Sequence, residues 1–149
     1  MAFTTGAAIL EQENTSPTTV CTSGSALATD SFDSESKTVL SSDAPFAKLL
    51  LTFQVGATTG AGAFVNIYRR DMNVDGTTDT TIPSATNPKI YVGRILIPEG
   101  MTINTDYTET ESAAPLDGDC EFYIENQMGV SINSGWVLKA DTKSYNASV

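Results

Sequence analysis

The stretch from Gly118 to Asn146 reads GDCEFYIENQMGVSINSGWVLKADTKSYN, and it sorts its residues by parity twice. In Cys120-Glu121-Phe122-Tyr123-Ile124-Glu125 the even positions are apolar and the odd ones mostly polar. In Trp136-Val137-Leu138-Lys139-Ala140-Asp141, residues Trp136, Leu138 and Ala140 fall on one side, with Lys139 and Asp141 on the other. Successive side chains of a strand point to opposite faces, so a period of two predicts two strands, each with one buried and one wet face. Asn126-Gln127-Met128-Gly129 supplies turn residues between them.

Outward from this pair the same signal recurs. In Phe46 to Val55, residues Leu49, Leu51, Phe53 and Val55 share a face opposed by Lys48, Thr52 and Gln54, with Leu50 the exception. The glycine-rich segment Gly56 to Gly62 reads as a flexible connection into Phe64 to Arg70, so the two segments are expected to form a hairpin. Lys89 to Pro98 carries apolar residues on both faces with Gly93 interrupting, which predicts a bulged strand covered on both sides. Thr102 to Thr110 reads as a polar edge strand, and Lys37 to Leu40 as a short one. Residues 1–30 are rich in Thr, Ser and Ala with few large apolar side chains, and read as an extended N-terminal arm in which Thr18 to Thr22 adds a first strand. The expected fold is all-β: a single β-sandwich or jelly roll of about eight antiparallel strands, residues 31–149, preceded by the arm.

The totals narrow the function. A chain of 149 residues buries roughly 68–70% of its unfolded surface, enough for one core without metals or disulfides. The formal net charge of −10 repels a phosphate backbone, so a direct nucleic-acid partner is not expected. There is no histidine, which rules out Ser-His-Asp and Cys-His catalysis, and the two cysteines, Cys21 and Cys120, cannot make a structural zinc site alone. The two could pair if their strands are neighbours, but the expectation is two free, partly buried thiols. Residues 1–6 lack the basic and apolar regions of a signal peptide and no apolar run is long enough to span a bilayer, so synthesis in a cytoplasm and no membrane partner are expected.

One segment concentrates oxygen ligands. Asp71-Met72-Asn73-Val74-Asp75-Gly76-Thr77-Thr78-Asp79 has the D-x-N-x-D-G spacing of a calcium loop, with Asp71, Asn73 and Asp75 as ligands and Thr77 and Asp79 as additions. Its twelfth position is Ile82 rather than a bidentate Glu, and a strand rather than a helix precedes it. Asp75-Gly76 is also a favoured turn, and Asp71 and Asn73 can cap turns through their own side chains. The glycines between Gly56 and Gly62 lack the Gly-Lys-Ser/Thr ending of a phosphate loop. Arg69 and Arg70 beside this loop could clamp an anionic partner, but are expected to offset the neighbouring carboxylates instead. Carboxylates are plentiful, but abundance does not make the spaced pair a glycosidase needs, and the expectation is a protein that is not an enzyme and needs no cofactor unless calcium binds the loop.

The order of segments Val65 to Asp79, Pro83-Ser84-Ala85-Thr86, Tyr91-Val92-Gly93, Gly118 to Asn126 and Ser134 to Lys139 resembles a group of small virion structural proteins of tailed bacteriophages. The resemblance covers about the C-terminal two-thirds. It implies a β-sandwich or jelly roll that decorates or cements a capsid, made in the host cytoplasm and seated on the outer surface of the virion head. The partners it implies are the major capsid protein and further copies of the chain, as a homo-trimer or homo-dimer. The competing expectation is a tail-associated, calcium-dependent glycan-binding adhesin, for which exposed aromatic residues on one face would be the sign.

Overall fold

The computed structural model describes residues 9–13, 16–35, 37–41, 44–87, 90–116 and 118–147. These residues form nine antiparallel strands in two packed sheets, an all-β sandwich. In chain order they are β1 (Ile9–Glu13), β2 (Thr18–Thr22), β3 (Ser31–Phe32), β4 (Phe46–Phe53), β5 (Phe64–Asp71), β6 (Ile90–Leu96), β7 (Tyr107–Pro115), β8 (Cys120–Gln127) and β9 (Val137–Ala147). The first sheet runs β1-β9-β4-β7 with β2 also on β9, and the second runs β3-β8-β5-β6.

Parity built the core as the sequence predicts. Leu49, Leu51, Phe53 and Val55 of the β4 segment are buried and alternate with partly exposed neighbours. Across the sandwich they meet Val65, Ile67, Phe122 and Ile124, and Trp136, just before β9, completes the same cluster with Leu138 and Ala140 of β9. Each large side chain removed from water here stabilises the fold by about 1.5–3 kcal/mol. Cys21 and Cys120 belong to this core and are not joined in a disulfide. One departure is Asp141, which shares the outward parity of Lys139 yet is buried.

Which strands pair is less local. The segments 46–55 and 64–70, expected to form a hairpin, lie in opposite sheets: β4 pairs with β7 and β9, and β5 with β6 and β8. Both carry a full inward apolar row, and two such rows are buried best when they face one another across the roughly 10 Å between sheets. The connection between them is also less free than its glycines suggest. Thr59 Oγ1 donates to the Pro98 carbonyl at 2.7 Å and accepts from Met101 N at 3.0 Å, pinning it to the turn after β6. Strands β8 and β9 are likewise split between the sheets, and Ile132 in their connection bridges to both Leu27 and Val55.

Three other expectations change. Lys37 to Leu40 is not a strand but two single bridges, Lys37 with Cys21 and Leu40 with Cys120, so the segment ties the two sheets together along one side. Strand β6 has its bulge, with Val92 the extra residue between the Ile67–Gly93 and Tyr68–Tyr91 pairs, but it is not covered on both faces. It is an edge strand, and Tyr91 and Leu96 are 53% and 72% exposed. The polar edge strand begins later than expected, at Tyr107, and does lie at the end of its sheet. Within residues 1–30, β1 and β2 follow one another along β9, with Glu13 opposite Lys143 and Thr18 opposite Ala140. Residues 1–8 of the expected arm lie outside the described residues.

Candidate functional site

The Asp71–Asp79 segment closes on itself as a turn. Where β5 ends, Thr80 N donates to Asp71 O at 2.9 Å and Thr80 Oγ1 accepts from Asp71 N at 3.0 Å, which clamps the two ends of the loop. Inside it Asn73 and Gly76 take left-handed backbone conformations, φ 53° and 89°, as an amide side chain and a glycine tolerate. Asp75 then folds its carboxylate back onto the chain. Its Oδ1 accepts from Thr77 N at 3.0 Å and Thr78 N at 2.6 Å, and its Oδ2 from the Thr78 hydroxyl at 2.8 Å. These donors, the Thr77 amide first, hold the carboxyl at about 2, below its ordinary 3.8.

The five residues singled out from the sequence are therefore distributed, not gathered. Asp71 is ion-paired to Arg69 Nε at 2.5 Å, and Asp79 accepts from Asn73 N at 3.1 Å and faces Arg70 Nη2 at 3.5 Å. Thr77 serves Asp75 through its amide and its hydroxyl. Asp71 and Asn73 line an open recess together with Met72, Val74, Gly118 and Asp119, while Asp75, Thr77 and Asp79 do not line it. Among the described residues no three Asp, Glu or Cys side chains are grouped so as to hold a metal ion. Arg70, which also donates to the Thr80 carbonyl at 2.7 Å and to Glu121 Oε2 at 3.0 Å, ties this loop to β8.

Beside the loop lies a surface that the local sequence does not announce. Register places the outward side chains of β6, β5 and β8 in rows: Leu96, Phe64 and Gln127; Arg94, Asn66 and Glu125; Tyr91, Tyr68 and Tyr123; then Arg70 and Glu121. The rows are knit together. Glu125 Oε2 accepts from Tyr68 OH at 2.8 Å and Asn66 Nδ2 at 3.0 Å, and Arg94 Nε donates to Asn66 Oδ1 at 3.2 Å while its guanidinium stacks on the Phe64 ring at 3.9 Å. Tyr68 meets Tyr91 edge-on, with centroids 5.9 Å apart, and Phe32 tilted at 5.4 Å. Burial first, then donation to Glu125 and Glu121 respectively, pushes the Tyr68 and Tyr123 phenols up to about 12, so both stay neutral donors.

This face is a platform knit across three strands, and its open border is β6. Its interior hydrogen bonds are satisfied within the sheet, and what it offers to a neighbour is apolar and aromatic surface at Leu96 and Tyr91 beside the Arg94 cation. The sequence signal was present in the alternation of Phe64, Asn66, Tyr68 and Arg70, but only the register shows that Glu121, Tyr123 and Glu125 lie opposite them. No family model matches the chain, and the searches of curated proteins and of solved structures return no significant match either.

Proposed function

We propose that the chain is a non-enzymatic structural protein of a tailed-phage virion, a decoration or cement protein that binds the outer shell of the head. The observation that carries this reading is the outer face of the second sheet, hydrogen-bonded within itself, with Leu96 and Tyr91 presented on an edge strand. Such a face suits packing against a flat neighbour better than holding a substrate, since interfaces favour tyrosine, arginine and apolar side chains at their centre. The order of segments that resembles small phage virion proteins supports the same reading. The mechanism is mechanical: copies of the chain, as a trimer or dimer, and the major capsid protein bury this surface at shell junctions, and the added contacts resist the pressure of packed DNA. Cryo-microscopy of virions carrying the protein tests it. Density on the outer head surface is the expected result, and density confined to the tail overturns the capsid assignment.

A second reading has one observation in its favour. The Tyr91 ring is half exposed beside Arg94, an arrangement on which a sugar ring can stack, as a tail-borne glycan-binding adhesin would need. In its calcium-dependent form Asp71, Asn73 and Asp75 would have to leave their present partners to bind the ion. Titration calorimetry with calcium and then with a glycan array separates the two readings, because a decoration protein gives heat with neither.

A further inference from the structure

On the side of the sandwich opposite β6, a lysine and an aspartate face each other out of water. Asp33, just after β3, and Lys37, which bridges to Cys21 of β2, have side chains 1% and 2% exposed, and Lys37 Nζ contacts Asp33 Oδ1. Everything around the pair fixes it. Asp33 Oδ2 accepts from the Ile124 amide of β8 at 2.6 Å, and Asp33 N donates to the Ile124 carbonyl at 3.0 Å. The Lys37 nitrogen donates to the Glu35 carbonyl at 2.7 Å and lies 4.5 Å from the centre of the Tyr123 ring. The Cys21 thiol reaches Asp33 Oδ1 at 4.0 Å.

We propose that Lys37 and Asp33 condense to an intramolecular isopeptide bond. The geometry supplies what the reaction needs: a nucleophilic nitrogen against one carboxylate oxygen, and a backbone N–H on the other to hold the charge that develops there when the carbon becomes tetrahedral. The first proton of the ammonium passes to Asp33 Oδ1, giving the free amine and the carboxylic acid. Nζ then attacks Cγ, a second proton moves from the nitrogen to the same oxygen, and Oδ1 departs as water. The N–C bond forms, one C–O bond breaks, the third nitrogen proton stays on the amide, and no oxidant or co-reactant is required.

Burial favours the first proton transfer and the neutral product, while the Ile124 N–H offsets the charge of the stage between them. A desolvated ammonium and carboxylate cost free energy that the neutral amide does not, and desolvation already lowers the Lys37 amine from its ordinary range. The bond would join a segment bridged to the first sheet to one hydrogen-bonded to the second, a covalent staple between the sheets.

Intact mass spectrometry of the full, denatured chain tests the proposal. The expected mass is about 18 Da below that of the sequence, one water lost, and trypsin should leave the chain uncut after Lys37 because an acylated lysine is not cleaved. Lys37→Arg and Asp33→Ala should each restore the full mass, and both are read in denaturant, so a folding defect does not hide the result. Wild-type protein that keeps its full mass after days in the folded state overturns the proposal. So does a water loss that persists in Lys37→Arg, which would mark a succinimide at Asp33-Ser34 instead.

Discussion

Cys120 has no exposed surface, and burial pushes its thiol up to about 11 although Arg69 pulls the other way. Cys21 is raised by burial as well, against the opposing pull of Lys37. Since the thiolate is the reactive form, neither should react with an aromatic disulfide reagent within minutes at pH 8 in the native protein, and two thiols should titrate in guanidinium. Rapid native labelling of either would contradict the packing. Asn126 illustrates the opposite case, a polar side chain that belongs inside. Its Nδ2 donates to the Leu27 and Val130 carbonyls at 3.0 and 2.8 Å, and its Oδ1 accepts from Met128 N at 3.0 Å. Asn126→Ala removes the partner of the Val130 carbonyl and of Met128 N, while the Leu27 carbonyl keeps its bond from Ile132 N, and should cost about 2 kcal/mol in urea unfolding, with the midpoint lowered at unchanged slope. Asp75 gives the pH-dependent case. Its carboxyl falls from 3.8 to about 2 on folding, so the unfolded chain binds more protons between those values. The contribution of the turn is complete above pH 3.8 and is lost as pH falls toward 2. A carboxyl resonance of Asp75 that titrates near 2 is expected, and a midpoint near 3.8 would show that the turn does not persist in solution.

Strand β6 meets the other sheet along a seam where the Glu111 side chain of β7 lies over Gly93 and Glu111 Oε2 accepts from Arg94 N at 3.3 Å. A Cβ at Gly93 would stand 2.6 Å from Glu111 Cγ, so the glutamate must swing out and give up that bond. Gly93→Ala should therefore destabilise by about 1–2 kcal/mol, and by much less in a Glu111→Ala background, a coupling that a double-mutant cycle measures directly. Equal costs in both backgrounds would remove the seam from the account of how the sandwich closes. The strand also shows what could be read from the sequence. Inward rows such as Leu49-Leu51-Phe53 and Phe122-Ile124 were legible because their period is local. The partner of each strand was not, since β4 and β5 are adjacent in the chain but joined to different sheets. The same limit hid the outer platform, where Asn66 and Glu125 meet across 59 positions of sequence. The aspartates of the 71–79 loop were legible as residue types, but the same spacing serves a turn and an ion cage. The direction of each carboxylate follows from backbone angles at Asn73 and Gly76 that composition only permits.

For the assembled chain, charge and apolar surface act against each other. A net charge of −10 keeps copies apart, while Leu96 and Tyr91 gain free energy by leaving water on the same outer face. A stable interface removes about 1,200–2,000 Å² in total, far more than two side chains expose, so the proposed contact must take in the Phe64–Arg94 stack and surface beyond it, Tyr68 and Tyr123 being already buried in the single chain. Leu96 would then sit inside the contact and not at its rim. Because it is 72% exposed in the single chain, Leu96→Asp should change folding stability by no more than about 0.5 kcal/mol. In the oligomer it would place a carboxylate in each copy of a desolvated contact, a cost of several kcal/mol. Sedimentation should therefore show a trimer or dimer for the wild-type chain and a monomer for Leu96→Asp, with matching thermal midpoints measured at a concentration where both are monomeric. A wild-type chain that stays monomeric at every accessible concentration overturns self-association through this face and leaves the capsid surface as its only proposed partner. An unchanged oligomer in Leu96→Asp moves the contact to another face of the sandwich.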